Sequence, residues 1–303
     1  MQGYHKSVFL KEVLGALNLT RLRSLGASAG RDAWYLDATL GDGGHSIEVI
    51  SRGGKVVGID VDPQALRRVQ KRFEDLGIDK SKYRLIQGNF RDLKNLIEQA
   101  DTKDLKFAGA IFDLGVSSLQ LENPERGFSF MKDGPLDMRM DPTLSVRALD
   151  LINAGGRKEL YELFKNLGEE KYSWRLVDII VSSRGIIKNT RDLAGLIERV
   201  IGKKGKIHPA TKIFQALRIA VNDELAALKE GLDQVRDLIE KNGDILVISF
   251  HSLEDRIVKN TFREWVDLGF GKVLTKKPVI PGMEEVNNNL RSRSAKMRVF
   301  KVL

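Results

Sequence analysis

The segment Asp37-Ala-Thr-Leu-Gly41-Asp-Gly43-Gly44-His45 combines an acid, closely spaced glycines and an imidazole. Glycines in such a run let the backbone turn sharply and approach a ligand, and a helix opening behind them presents free N-terminal amides. Asp60 closes the downstream run Gly58-Ile-Asp60, at the separation of about 20 residues where an acid reaches the hydroxyls of a ribose. Together these features predict an adenosine-containing cofactor. A third cluster, Gln87-Gly88-Asn89-Phe90, puts a polar residue and then an aromatic where an adenine could be flanked. A fourth, Asp113-Leu-Gly-Val-Ser117-Ser118-Leu-Gln120, ends in side chains that accept and donate hydrogen bonds. Beside a methyl donor, Asp113 is a candidate acceptor for a substrate N–H; without one it is a plain turn or helix-capping residue.

NAD and S-adenosylmethionine both satisfy this outline. The dinucleotide fingerprint Gly-x-Gly-x-x-Gly is incomplete, because Ser46 stands at the third glycine position. The acid ahead of the glycines, Asp37, gives instead the acid-x-x-x-Gly-x-Gly loop typical of class I methyltransferases.

These residues need elements to hold them. Short apolar runs at 35–38, 55–60, 84–87 and 107–113 read as buried strands, and amphipathic stretches between them read as helices, one of them started by Pro63. Residues 7–17 form a further short helix by the same criterion. Such alternation implies βαβ units and a parallel sheet. The rhythm breaks after Glu122: residues 123–218 carry helical patterns without a strand series. A long helix is then expected with Leu225, Leu228, Leu232, Val235, Leu238 and Ile239 on one stripe, stopped by Gly243. Strands at 245–250, 272–274 and 297–302 and a helix at 253–265 complete the pattern. The architecture expected is a doubly wound α/β domain made of residues 1–122 and 219–303, with a mostly helical domain, 123–218, inserted after the fourth strand.

Composition narrows the function. The 303 residues include no cysteine, which excludes disulfides, thiolate zinc sites, iron–sulfur clusters and cysteine nucleophiles. No apolar run approaches a membrane span, and the first ten residues lack a signal-peptide layout, so a cytoplasmic location is expected. The net charge of +9 is uneven: +6 over residues 123–218, −5 over 219–270 and +6 over 271–303. A polyanion such as RNA or DNA would account for two basic regions, and so would an ordinary basic protein with no such partner. No His-Glu-x-x-His or comparable zinc spacing is present, and no metal is expected.

Longer motifs carry a resemblance. His5-Lys-Ser-Val8, Gly43-Gly44-His45-Ser46, Asp60-Val-Asp62-Pro63, Asp113-Leu-Gly-Val-Ser-Ser118, Glu125-Arg-Gly-Phe-Ser-Phe-Met131, Asp133-Gly-Pro-Leu-Asp-Met-Arg-Met-Asp141, Thr211-Lys-Ile-Phe-Gln-Ala-Leu-Arg218 with Asn222 and Glu224, Ser249-Phe-His-Ser-Leu-Glu-Asp255 and Asn289-Leu-Arg-Ser-Arg-Ser-Ala-Lys296 occur in that order. In these the chain resembles, nearly end to end, the MraW-type bacterial methyltransferases that modify N4 of a cytosine in 16S ribosomal RNA. Leu119, where that family often has proline, is a small departure. The resemblance implies a class I, Rossmann-like methyltransferase fold with an inserted helical substrate-recognition domain. It implies S-adenosylmethionine contacts at Gly43, Gly44, His45, Asp60, Phe90, Asp113 and Gln120, with His45 and the loop amides near the methionine end, Asp60 on the ribose and Phe90 at the adenine. It also implies a decoding-centre, P-site cytosine as target, hence small-subunit RNA in an assembled particle; no membrane is expected, and no obligate protein partner is evident in the sequence.

On this reading Asp113 is the candidate catalytic acceptor, although the chain lacks the Asp/Asn-Pro-Pro-aromatic motif of DNA amino-methyltransferases. Arg126, Arg139, Arg291, Arg293 and Lys296 are candidates for RNA contacts, the last three on a polar, exposed tail. Arg126 and Arg139 could equally pair with Asp133 or Asp137. Phe128, Phe130 and Trp174 could support an extruded base or simply pack the insertion. His208 before Pro209 marks a turn, while His5 and His251 have no evident role. Two alternatives make different predictions: an NAD oxidoreductase would respond to nicotinamide without methyl transfer, and a non-catalytic ribosome-assembly factor would bind RNA and cofactor without product.

Overall fold

A computed structural model describes residues 6–17, 19, 32–100, 102, 105–202 and 208–303. Seven strands form one sheet: β1 (Trp34–Asp37), β2 (Lys55–Asp60), β3 (Tyr83–Gln87), β4 (Phe107–Asp113), β5 (Ile239–Ser249), β6 (Gly271–Val273) and β7 (Lys296–Val302), in the spatial order β3-β2-β1-β4-β5-β7-β6. β1 through β5 run parallel, and β7 lies antiparallel to both β5 and β6. The central strands β1, β2 and β4 are buried on both faces, so they read in sequence as continuous apolar runs such as Val56-Val57 and Ala110-Ile111-Phe112. One face packs Leu36, Val57, Phe107, Phe112, Leu228, Leu232, Val258 and Phe262; the other packs Phe9, Val13, Tyr35, Val49, Ile111 and Ile248.

The chain divides into two compact units, residues 1–115 with 225–303 and residues 116–224. These borders lie outside the expected 122/123 and 218/219. A cut at 218 would split the helix Thr211–Asn222, whose Ile213, Phe214, Leu217 and Val221 all belong to the core of the second unit. Val116 and Leu121 pack on that same core, which draws the first border back to the end of β4.

The second unit is helical, built from Ala148–Ala154, Arg157–Asn166, Ser173–Ser182, Thr190–Ile201 and Thr211–Asn222 around Leu160, Phe164, Val177, Ile180, Leu193 and Ile197. Its irregular first third is stitched to the last helix by Asn222. The Asn222 amide donates to the carbonyls of Met138 and Arg218, both at 2.8 Å, and its oxygen accepts the Met140 N–H at 2.7 Å. Asn222→Ala strands buried backbone groups and is expected to cost about 2 kcal/mol, measurable as a lower midpoint of chemical denaturation.

One expected element is corrected. The helix after 224 ends at Val235, a short 3-10 turn covers Arg236–Leu238, and Ile239 opens β5 opposite Phe107. Gly243 does not stop a helix. It lies in an irregular stretch of β5 where the register shifts, and a Cβ there would come within 2.9 Å of the Ala108 carbonyl. The apolar pair Leu238-Ile239 falls in phase with the helical stripe, so periodicity alone cannot tell strand entry from one more helical turn.

Candidate active site at the carboxyl edge of the sheet

Three strands deliver an acid to the same edge: β1 ends on Asp37, β2 on Asp60 and β4 on Asp113. That edge is where ligands bind in open α/β sheets. The loop after β1 turns through Gly41 and Gly43, both at positive φ, and Gly43 is the N-cap of the helix Gly44–Ser51 without any side chain capping it. The amides of its first turn therefore point toward the site. A Cβ on Gly43 would lie 2.9 Å from Val69 Cγ1, and one on Gly44 would lie 2.1 Å from Ser7 Oγ, so the loop is closed on both sides to anything larger than glycine.

Asp60 holds this loop. Its Oδ2 accepts the Gly41 N–H at 2.8 Å and its Oδ1 accepts the Asp62 N–H at 2.8 Å. A carboxylate oxygen has a second lone pair, so both remain able to accept from ribose hydroxyls. Burial pushes the Asp60 carboxyl up to about 6 against the lowering effect of the two amides. The sign follows directly. The folded chain holds this proton more tightly, so Asp60 withdraws stability as pH rises from the ordinary carboxylate value through about 6, with no further change above it. A pair of ribose hydroxyls held by both oxygens would be bound more strongly by the ionised form, which accepts at each. Affinity for an adenosine cofactor is therefore expected to fall as pH drops below about 6, and titration calorimetry should show that slope disappear in Asp60→Asn.

Asp37 is buried, accepts the Ser46 hydroxyl at 2.6 Å and the Thr39 N–H at 3.3 Å, and burial raises its carboxyl. His45 is 5% exposed, with Nε2 3.5 Å from Asp113 Oδ2. Burial alone would lower the imidazole, but the Asp113 carboxylate, with Asp37 and Glu285 adding to it, leaves it raised. Asp113 is anchored by its backbone: its N–H donates to Thr39 Oγ1 at 2.6 Å. Among the described residues, neither ring nitrogen of His45 nor Oδ1 of Asp113 has a hydrogen-bond partner, although all three atoms are buried. Buried polar atoms are rarely left so. Together with the uncapped helix start they form a cradle suited to a polar, charged ligand.

Phe90 is half-buried, edge-on to Phe112 with ring centroids 5.7 Å apart, and backed by Gly231. Sequence reading assigned no role to Thr39, Ser46 or Glu285, which bond to Asp113, Asp37 and Phe9 across 74, 9 and 276 residues. It also left His251 without a role. His251 is the N-cap of the helix Ser252–Asp267, while Glu254 accepts the Phe250 N–H at 2.7 Å. His5 lies outside the described residues.

Gln120 falls in the second unit, buried, with its Oε1 accepting the Ser117 N–H at 3.0 Å in a capping box. The second unit also holds Arg126 and Arg139. Arg126 donates to the carbonyls of Arg139 and Met140, both at 2.9 Å. Arg139 forks Asp137 at 2.7 and 2.8 Å and donates to the Pro142 and Leu144 carbonyls. Both guanidinium groups thus brace the loop they sit in, as the alternative pairing with Asp137 anticipated for Arg139. Phe128 packs in the core, and Phe130 lies against His208 with the rings tilted by 33° and meets Phe214 edge-on. In the first unit the expected exposed tail is only partly so. Arg291 is half-buried in the 3-10 turn Leu290–Ser294, and Lys296 opens β7 with Nζ 3.4 Å from Asp255. The strand pairing of β7 with β5 pulls this segment onto the sheet. Arg293 is exposed.

A sheet of this order, with β7 reversed between β5 and β6 and a glycine turn after β1, is the class I, Rossmann-like methyltransferase fold. Residues 2–303 match the model of the MraW methylase family, and the chain belongs to it. Ribosomal RNA small subunit methyltransferase H of Persephonella marina is 46% identical over 275 residues, covering 88% of this chain and 92% of its own. The protein of the same name from Halothermothrix orenii is 43% identical and covers 97% of each chain. A solved rRNA methylase from Streptococcus thermophilus aligns over 90% of this chain and 88% of its own at 12% identity, with a TM-score of 0.43. Among the described residues no helix is long and apolar enough to cross a membrane.

Proposed function

We propose that this protein transfers a methyl group from S-adenosylmethionine to N4 of a cytosine at the decoding centre, the P site, of small-subunit ribosomal RNA. The observation that carries the reading is the Asp37–Asp60–Asp113 edge, where His45 Nε2 faces Asp113 Oδ2 at 3.5 Å and the buried Asp113 Oδ1 is left to accept, in a chain of the MraW methylase family. The names of its relatives support ribosomal RNA of the small subunit as substrate.

Gly43, Gly44 and His45 would hold the methionine end, Asp60 the ribose and Phe90 an edge of the adenine. Bound there, S-adenosylmethionine supplies an electrophilic methyl carbon on a sulfonium, whose departure needs no acid. The exocyclic amine of cytosine is conjugated with its ring and is a weak nucleophile. Asp113 accepts one N–H of that amine, which turns the nitrogen lone pair out of conjugation and later gives the proton a place to go. Holding nitrogen and methyl carbon in line is mainly an orientation effect. His45, whose imidazole Asp113, Asp37 and Glu285 raise against the opposing effect of burial, lies 3.5 Å from Asp113 Oδ2 and steadies that carboxylate when protonated. A base inside a folded RNA must leave its stack to reach this edge, and the helical unit 116–224 is the proposed reader of the surrounding RNA, with exposed Arg293 as a further phosphate contact.

The test incubates the protein with tritiated S-adenosylmethionine and either naked 16S RNA or small subunits from cells lacking this methylation. Label in the subunits and little in naked RNA is the expected result, since the implied target is formed by the folded particle. Cofactor binding with no label in either would instead favour the non-catalytic assembly factor.

A further inference from the structure

The helical unit carries an aromatic surface feature that methyl transfer does not use. Between the helices Arg157–Asn166 and Ser173–Ser182 lies an open cavity of about 510 Å³ lined by Tyr161, Lys165, Lys171, Tyr172, Trp174 and Arg175, together with Glu169 and Glu170. Trp174 is 52% exposed and Tyr172 is 51% exposed, unusual values for side chains with so much apolar area. Trp174 and Tyr161 are stacked face to face, ring centroids 4.1 Å apart and planes 16° from parallel. Lys165 Nζ sits 5.3 Å from the Tyr161 ring.

The platform is pre-formed. The turn between the two helices is pinned by the Lys212 ammonium on the Glu169 carbonyl at 2.9 Å and the Gln215 amide on the Leu167 carbonyl at 3.2 Å. Glu170 is buried, accepts the Tyr172 N–H at 2.9 Å, and its carbonyl accepts the Ser173 hydroxyl at 2.6 Å. The Glu170 carboxylate is thereby engaged inside the turn, while Lys165, Lys171 and Arg175, with Glu169, are exposed around the rings.

From this we infer that Tyr161, Trp174 and Tyr172 form a second nucleic-acid subsite that stacks an unpaired nucleotide of the RNA substrate, with Lys165, Lys171 and Arg175 taking the adjoining phosphates. Exposed aromatic faces ringed by cations are the chemistry of single-stranded RNA binding, since any base offers a π-face and every linkage a negative charge. A protein partner fits less well: such interfaces are depleted of lysine at their core, and here two lysines and an arginine surround the rings. The inference rests on the RNA reading above. It adds a contact to RNA flanking the target that sets affinity for the particle and leaves the chemical step alone.

Methylation of small subunits by the full-length protein is the assay, with Trp174→Ala, Trp174→Phe and Tyr161→Ala compared with the parent. Trp174→Ala should raise KM for subunits about tenfold, the size of one lost base stack, with kcat and cofactor affinity unchanged. Trp174→Phe, which keeps a ring, should recover most of the loss and controls for folding. The Trp174 emission of the parent should be quenched by a short uridine oligonucleotide, and that oligonucleotide should compete with subunits. Unchanged KM in Trp174→Ala, or a raised KM without quenching or competition by the oligonucleotide, overturns the subsite and in the second case points to a ribosomal protein. A parent that labels no RNA at all fails the functional reading, while quenching by the oligonucleotide reads the subsite separately.

Discussion

Asp113→Asn is expected to lower kcat for RNA methylation by about 10²- to 10⁴-fold, the range of a positioned proton acceptor, with cofactor affinity little changed. Asparagine matches the size of aspartate and keeps the backbone N–H that donates to Thr39 Oγ1, so the end of β4 stays in place. It removes the negative charge that faces His45 at 3.5 Å, and its amide can present N–H where the substrate amine needs an acceptor. Because Asp113 also raises the His45 imidazole, the variant should shift the His45 ring proton resonances to titrate at lower pH. Rapid-quench kinetics on small subunits, with calorimetry for the cofactor, separates the outcomes. Equal losses in affinity and rate would make Asp113 a cofactor-positioning residue, and no loss in either would remove it from the mechanism.

Arg298→Met is expected to destabilise the first unit by about 3 kcal/mol, the usual cost of leaving one partner of a buried ion pair alone. Arg298 in β7 is 7% exposed, and its guanidinium reaches both oxygens of Asp255 at 2.6 and 3.2 Å. Burial would raise the Asp255 carboxyl, but the Arg298 hydrogen bond and charge, with Lys296 behind them, hold it below its ordinary value. A depressed carboxyl contributes stability that is present above its unfolded value of 3.8 and lost as pH falls through the folded one. The penalty of Arg298→Met should therefore be full at neutral pH and shrink in acid. Urea denaturation at several pH values measures this, and the double variant Arg298→Met with Asp255→Leu should recover much of the loss, as apolar replacement of a whole buried pair does.

The fold was legible where burial on both faces writes itself as an unbroken apolar run. Phe107–Asp113 is a strand with the bounds its sequence suggests, and Pro63 opens a helix at its first position. Legibility failed where two periodicities share residues, as at Leu238 and Ile239, and where a helix crosses a presumed border, as at Arg218. Local chemistry in the site was readable because the glycine turn and Asp60 lie close in sequence. Its long-range half was not. No spacing rule links Thr39 to Asp113, which the pairing of β1 with β4 makes neighbours, or Phe9 to Glu285, whose carboxylate accepts the Phe9 N–H at 2.7 Å from a helix 276 residues on. Cations misled for a related reason. The type and position of Arg126 and Arg139 suit RNA, but whether a guanidinium has donors to spare depends on the carbonyls folded around it.

The central claim is the identity of the methylated atom. Small subunits from cells lacking this protein, treated with it and S-adenosylmethionine, should yield on nuclease digestion and mass spectrometry one new nucleoside, N4-methylcytidine, at a single position of the decoding site, and Asp113→Asn should yield almost none. A methyl group on carbon 5 of the ring or on a ribose oxygen would contradict the account, because neither acceptor has an amine N–H for Asp113 to hold, and a methylated adenine or guanine would contradict the base assigned.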